Sequence, residues 1–177
     1  MGAWSGPFLI AAVLLAAAGI AKAIDPTMTV GALRTFGFPV SSGAVRSLGL
    51  IEALLAAAAA VTGAPALAIG VGGSYLLFSA FVVIARVRRL PIGSCGCFGR
   101  VDTPPSWLHV AVNLGAAASA LAVAARDGGG LAATLDHQPL AGLPFVALIG
   151  VGSYAAFTAL TVVPQLGVVS AEGRRVR

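Results

Sequence analysis

The chain has 177 residues, of which 58% are hydrophobic and only 10% are charged, and its mean hydropathy is +0.96. A soluble globular domain carries about 25% charged residues, so this composition excludes that class and indicates an integral membrane protein. The net charge of +5 does not indicate nucleic-acid binding, because the arginines stand at the ends of apolar segments, where they orient a membrane protein.

Five apolar segments are long enough, or nearly so, to cross the roughly 30 Å hydrocarbon core of a bilayer as helices. Their hydrophobic runs are continuous rather than alternating, which disfavours a β-barrel. We therefore predict an all-α fold, a polytopic transmembrane helical bundle of about five spans, with residues 1–177 forming a single integral membrane domain. The predicted spans are Trp4–Ala23, Arg46–Thr62, Ala66–Ala85, Trp107–Ala125 and Gly142–Val163.

The first span is interpreted as a retained helix rather than a cleaved signal peptide, because residues 1–7 contain no Lys or Arg. After it, Asp25 and Pro26 have the N-cap and first-position chemistry of a short helix, which Gly37 is placed to end. An apolar stripe along this segment predicts a helix over Pro26–Phe36 that lies in the membrane interface.

The connections further along the chain differ in length. Only Gly63, Ala64 and Pro65 separate the second and third spans, so these spans are predicted to form a tight antiparallel hairpin. Residues 86–106 form the loop that holds both cysteines. The segment 126–141 contains three consecutive glycines and is expected to be a flexible external loop.

Basic residues are distributed unequally between the two sides that five spans define. Because Lys and Arg are enriched on the cytoplasmic side of membrane proteins, we predict a plasma-membrane protein whose N-terminus is outside. The C-terminus and the cysteine loop are then cytoplasmic, and only Arg126 lies on the outer side. The basic residues of the cytoplasmic side are Lys22, Arg34, Arg46, Arg86, Arg88, Arg89, Arg100, Arg174, Arg175 and Arg177.

The only two cysteines, Cys95 and Cys97, are separated by one glycine. A disulfide at this spacing closes a small, strained ring, which is comparatively easy to reduce and therefore suits exchange chemistry better than structural crosslinking. Arg88, Arg89 and Arg100 flank the pair and favour the reactive thiolate. A redox pair is the favoured interpretation, and an inert pair of cysteines is the alternative.

A soft-metal site is a second interpretation of the same cysteines. Two thiolates bind Cu(I) or Zn(II) but need further ligands, and His109 is the nearest imidazole, so Cys95, Cys97 and His109 form an incomplete candidate set. His109 and Asn113 share one face of the fourth span at i and i+4. Both side chains therefore either sit at a helix end or point into the bundle beneath the cysteine loop.

Two ionisable residues lie within predicted spans. Lys22 is about one turn from the end of the first span, and Glu52 is about two turns inside the second. Charges at membrane depth are costly and are usually paired, so we expect contact between them. That contact would hold the two helices together. Two alternatives stay open: the two residues take part in proton movement coupled to the thiol chemistry, or their side chains snorkel to the interface.

The sequence resembles the MauE branch of the DoxX-like membrane proteins. The resemblance rests on Ala18-Gly19-Ile20-Ala21-Lys22, which closes the first span, and on Cys95-Gly96-Cys97-Phe98-Gly99 before the fourth. It implies a four-helix core plus one further span, with Cys95 and Cys97 as the redox pair and Lys22 as the lysine of the family's first span. The family's methylamine-utilisation member is linked to maturation of the disulfide-rich small subunit of methylamine dehydrogenase, alongside a thioredoxin-like partner.

These observations together predict a redox-associated membrane protein that carries out thiol–disulfide exchange. One thiolate would attack a partner disulfide and the second cysteine would resolve the mixed disulfide. The expected partners are the lipid bilayer, a thioredoxin-like protein and an exported disulfide-rich client. Enzyme status is left open. No cofactor is predicted, although a quinone is one means of relaying electrons between a cytoplasmic loop and the outer side of the membrane. The alternatives are a copper or zinc protein and a non-catalytic assembly subunit.

Overall fold

The computed structural model describes residues 3–90, 92, 105–126, 130–136 and 139–175, and for residues 133, 139, 141 and 164–175 it describes the backbone alone. The cysteine pair, Cys95 and Cys97, lies outside the described residues. The described part is mostly helical, with turns and short connections between the helices, and contains no strand. Its helices are α1 Ser5–Ile24, α2 Thr27–Thr35, α3 Ser42–Thr62, α4 Pro65–Val87, α5 Trp107–Ala124, α6 Leu131–Leu135 and α7 Leu143–Arg175, with a 3-10 turn at Pro139–Gly142.

The five predicted spans are confirmed as helices. Helices α1, α3, α4, α5 and α7 as far as Val163 are long and apolar enough to cross a membrane. The second span begins at Ser42 rather than Arg46, because Ser41 caps the helix by accepting a hydrogen bond from the Ala44 N–H at 3.1 Å. Helix α7 continues beyond the predicted end of its span, to Arg175.

The short helix between the first two spans is also confirmed. Helix α2 begins at Thr27, whose backbone N–H donates to Asp25 Oδ1 at 3.1 Å. It ends before Gly37, which has a φ of +87°. Glycine suits this position because a left-handed conformation carries a steric cost for other residues.

The segment 126–141 is more structured than the sequence predicted, in the part that is described. Leu131 packs against the main core, and Thr134 Oγ1 donates to the Gly130 carbonyl at 2.9 Å within α6. Gly130 lies directly against the backbone of the α3–α4 turn, so that a Cβ at this position would collide with it. Apolar burial and this close approach therefore fix part of a segment that its glycine content marked as flexible.

Helix α1 lies at the centre of the bundle. Half of the residues in its membrane-spanning stretch are buried inside the bundle, compared with 22% for α7. It contacts α3, α5 and α7. One core of buried apolar side chains joins α1, α3, α4, α5 and α7. Helix α3 packs mainly on α1 and α4 packs mainly on α5, whereas α3 and α4 contact each other less extensively despite their short connection.

The chain order places several termini at one end of the bundle, which we call the loop end. Helices α1 and α4 finish there, α3 and α5 begin there, and α2 lies across it. The predicted cysteine loop joins α4 to α5, so both of its ends are attached to the loop end. The α3–α4 turn, Arg126 and α6 lie at the opposite end.

Helices α1 and α3 cross at a pair of glycines. A Cβ added to Gly19 would lie 2.5 Å from the Gly49 carbonyl oxygen, and one added to Gly49 would lie 2.5 Å from the Gly19 carbonyl oxygen. Real Cβ atoms do not approach so closely, so both positions require glycine if the two backbones are to stay in contact. Such small-residue crossings are how helices pack closely in lipid.

Substitution at this crossing should separate the helices. We expect Gly19→Ala or Gly49→Ala to lower the free energy of unfolding by about 1–3 kcal/mol, the usual cost of overpacking. The readout is the midpoint of thermal unfolding of the purified protein in detergent. Gly73→Ala is the matched control, because a Cβ there meets nothing within 4 Å, and it should be neutral or slightly stabilising. An unchanged midpoint for both crossing variants would contradict the close contact.

Candidate functional site

Lys22 and Glu52 form a buried ion pair, as the sequence predicted. Lys22 Nζ lies 2.5 Å from Glu52 Oε2, and the residues are only 3% and 5% exposed. The ammonium also lies 4.6 Å from the centroid of the Phe78 ring on α4. One lysine therefore connects α1, α3 and α4. A cation–π contact in a desolvated position contributes about 2 kcal/mol, so Phe78 adds to the stabilisation that the carboxylate provides.

The glycine crossing explains how these two side chains meet. Lys22 and Glu52 each follow a crossing glycine by three residues, on antiparallel helices. Side chains on a helix lean toward its N-terminus, so on antiparallel helices they lean toward each other. A lysine or glutamate within a span costs about 2.5–3.5 kcal/mol when it is unpaired. Pairing at the crossing reduces this cost and makes the register of α1 on α3 specific.

A cavity of about 290 Å³ lies between α3 and α4, which contact each other less extensively than either contacts its main neighbour. The ion pair lies in its wall, and α2 covers it at the loop end. Its mouth is lined by Leu48, Ile51 and Leu77, which are exposed on the outer surface of the bundle. The other lining residues are Thr29, Ala32, Leu33, Leu55, Ser74, Phe78, Phe81 and Val82.

His109 and Asn113 line a second, smaller cavity within the bundle. This space is about 20 Å³, which is enough for about one water molecule. The sequence left open whether these side chains sit at a helix end or point into the bundle. Both are buried, so they point into the bundle. His109 Nδ1 forms a hydrogen bond of 2.8 Å with Ser106 Oγ, in which the tautomer decides the donor. Phe78 and Val82 line both cavities and separate the histidine from the ion pair.

Contacts at the loop end fix both ends of the cysteine loop, which we call its first stem, at Ile92, and its second stem, at Pro105. On the first stem, Ile92 is buried with Ala32 of α2 and Ala85 of α4. On the second, an Arg86 guanidinium N–H donates to the Pro105 carbonyl oxygen at 2.8 Å. The same guanidinium lies 5.4 Å from the Trp107 ring centroid. The loop is therefore attached on one side to α2 and α4 and on the other to the start of α5.

The structure brings four of the six sequence-predicted site residues together as two pairs, one on each side of Phe78; His109 lies near the loop end, and the ion pair lies deeper, at the middle of α3. Cys95 and Cys97, together with any metal set that includes them, lie outside the described residues. Sequence analysis missed Phe78 because its role depends on the tertiary position of α4. It assigned Arg86 only to membrane orientation, because the contacts of Arg86 with Pro105 and Trp107 join positions 19 or more residues apart and depend on how α4 packs on α5.

Helix content, buried polar pairs and apolar outer surfaces define this chain as a multi-pass membrane protein of the small helical-bundle class. A family model described as methylamine utilisation protein MauE matches residues 2–126, a range that contains α1 to α5 and the two cysteines. The chain therefore belongs to the MauE family, as its resemblance had implied. No match was found among curated proteins or among solved structures.

The buried pair generates a prediction about coupling. Lys22→Met or Glu52→Gln alone should lower the free energy of unfolding by about 3–5 kcal/mol, because each leaves an uncompensated buried charge. In the double variant the free energy of unfolding should fall by markedly less than the sum of its decreases in the two single variants. Chemical unfolding of all four proteins in the same detergent gives this double-mutant cycle. Additive losses would show that the two side chains do not interact energetically, and would contradict the pair.

Proposed function

We propose that the protein is a membrane redox protein of methylamine utilisation that exchanges disulfides with a thioredoxin-like partner through Cys95 and Cys97. The observation that carries the proposal is the attachment of the cysteine loop. Both of its stems are fixed to the end of the bundle where α5 begins and where His109 lies, and the buried Lys22–Glu52 pair lies deeper, at the middle of α3. The family description, methylamine utilisation protein MauE, supports the physiological setting.

The exchange needs only the two loop sulfurs and two sulfurs of the partner. A partner thiolate attacks one sulfur of the Cys95–Cys97 disulfide, which breaks that bond and forms a mixed disulfide. The second partner thiolate then attacks the mixed disulfide. The partner leaves as a disulfide, and the loop retains both electrons as a dithiol or its thiolates. Arg88 and Arg89 precede the pair in the chain and favour the thiolate form.

The orientation of the protein decides which partner can reach the loop. Arg34, Arg46, Arg86 and Arg88 belong to segments at the loop end, and Arg126 follows α5 at the other end. Because basic residues favour the cytoplasmic side, we place the loop end in the cytoplasm and the N-terminus outside. A thioredoxin-like partner would then meet the loop directly. An exported client, such as a disulfide-rich dehydrogenase subunit, would be reached through a further carrier.

Single replacement of either cysteine tests the exchange. A Cys95→Ser or Cys97→Ser variant cannot form the loop disulfide and therefore cannot oxidise the partner. Its remaining thiolate can still attack the disulfide of an oxidised partner, and no second loop thiol is present to resolve the mixed disulfide. We expect both variants to lose partner oxidation and one of them to accumulate a mixed disulfide, visible on non-reducing gels and identified by mass spectrometry. The double variant Cys95→Ser/Cys97→Ser is the control and should form no adduct. If both single variants keep wild-type activity and growth on methylamine, the redox proposal is wrong.

A further inference from the structure

We propose that the 290 Å³ cavity between α3 and α4 binds the head group of a membrane-dissolved quinone. This inference deepens the proposed function and rests on it for its redox role, because it names the electron acceptor for the loop. The binding site itself stands on the cavity, which is independent of the cysteines.

The walls of the cavity suit a flat apolar ring. Phe78 and Phe81 present aromatic side chains to it, and Leu55 and Val82 add aliphatic surface. Aromatic rings pack on one another in offset or edge-on arrangements. One face of Phe81 is stacked on Phe36, with centroids 4.4 Å apart, and Lys22 Nζ lies over Phe78, so a quinone ring would pack on the remaining face or edge of either phenylalanine. The volume of about 290 Å³ is just below the usual range of small-molecule pockets, about 300–1,000 Å³, so it fits a head group rather than a whole lipid.

The mouth of the cavity suits a ligand with a long apolar tail. Leu48, Ile51 and Leu77 line it, and each is exposed on the surface of a membrane-spanning helix. A tail that leaves between α3 and α4 would therefore pass directly into the hydrocarbon region. A water-soluble ligand would gain nothing from this path, whereas a polyprenyl chain enters the bilayer at no cost in exposed apolar area.

The polar wall selects the chemistry of the head group. Lys22 Nζ has three N–H donors, and the described residues include one hydrogen-bond acceptor for it, Glu52 Oε2 at 2.5 Å. A carbonyl oxygen can accept a further N–H. Because Glu52 already neutralises the lysine, a second carboxylate such as that of a fatty acid would add an unbalanced buried charge. A neutral head with carbonyl oxygens is therefore favoured over an anionic one.

The cavity and the cysteine loop share residues. Ala32 and Phe81 line the cavity and also belong to the cluster in which Ile92 is buried. Three extended residues span at most about 11 Å, so the covalent chain limits how far Cys95 can lie from Ile92. In the proposed step the loop dithiol loses two electrons and two protons and forms its S–S bond. The quinone gains both electrons and both protons and leaves as a quinol.

The test is quinone binding by the purified full-length chain in quinone-free lipid nanodiscs. A short-chain ubiquinone analogue is titrated, and binding is measured on the Cys95→Ser/Cys97→Ser background, so that failure of thiol exchange has no influence. Ser74→Phe fills the cavity, and Leu76→Phe adds the same ring to an exposed position of the same helix outside the cavity lining. A third variant, Lys22→Met/Glu52→Leu, replaces the polar wall by apolar side chains and leaves no charge and no hydrogen-bond donor there.

We expect saturable binding by the cysteine-free protein and by the Leu76→Phe control. Ser74→Phe and Lys22→Met/Glu52→Leu should each weaken it at least about tenfold, equivalent to about 1.4 kcal/mol. Equal uptake by all variants would show partition into lipid alone and would overturn the site. A phospholipid that the quinone cannot displace from the cavity would overturn it as well.

Electron transfer from the cysteine pair to the quinone is measured in a separate experiment, on the protein that keeps both cysteines. The analogue should oxidise the reduced pair, and Ser74→Phe should slow that oxidation while Leu76→Phe does not. If quinone binds as expected but the pair is not oxidised, the acceptor role is wrong while the binding site stands. If no quinone binds but single-cysteine variants still trap a partner, the proposed exchange stands and this inference is wrong.

Discussion

The contact on which the rest of this bundle depends is the crossing of α1 and α3 at Gly19 and Gly49. With no Cβ at either glycine, the two backbones touch, and Lys22 meets Glu52 three residues further along each helix. The ion pair then acts as a specific contact between α1 and α3, as the hydrogen bond that Tyr75 Oη donates to the Ala11 carbonyl at 2.6 Å does between α4 and α1. In lipid, where apolar burial does not distinguish one helix partner from another, such a pair fixes which helices associate and in what register.

This pairing also explains where space is left in the molecule. Because α3 is held against α1, it does not close fully on α4, although only two residues lie between the two helices. The resulting cavity has a charged pair in one wall and an exposed apolar mouth. Phe78 lies under the lysine and separates this cavity from the one that holds His109 and Asn113. The features from which we infer function therefore follow from one close helix contact.

The sequence predicted the spans well because their signal is local. A continuous apolar run of sufficient length must be a helix in lipid, and this holds for all five spans. The Lys22–Glu52 contact was also predictable, since a buried charge within a membrane needs a partner. The cavity was not predictable, because the tight Gly63–Pro65 connection predicts an antiparallel hairpin but does not determine how closely α3 and α4 pack away from the turn. Phe78 acquired its role, and Gly130 its docking on the α3–α4 turn, only through tertiary contacts that no local pattern reveals.

The central claim is that Cys95 and Cys97 form a redox-active pair on the arginine-rich side of the membrane. Labelling with a membrane-impermeant maleimide, in intact and permeabilised cells and with or without prior reduction, tests it most directly. The account predicts that the pair is labelled only in permeabilised cells and that prior reduction increases the labelling, because part of the pair exists as a disulfide. Labelling of intact cells would contradict the orientation, and full labelling without reduction would contradict the disulfide.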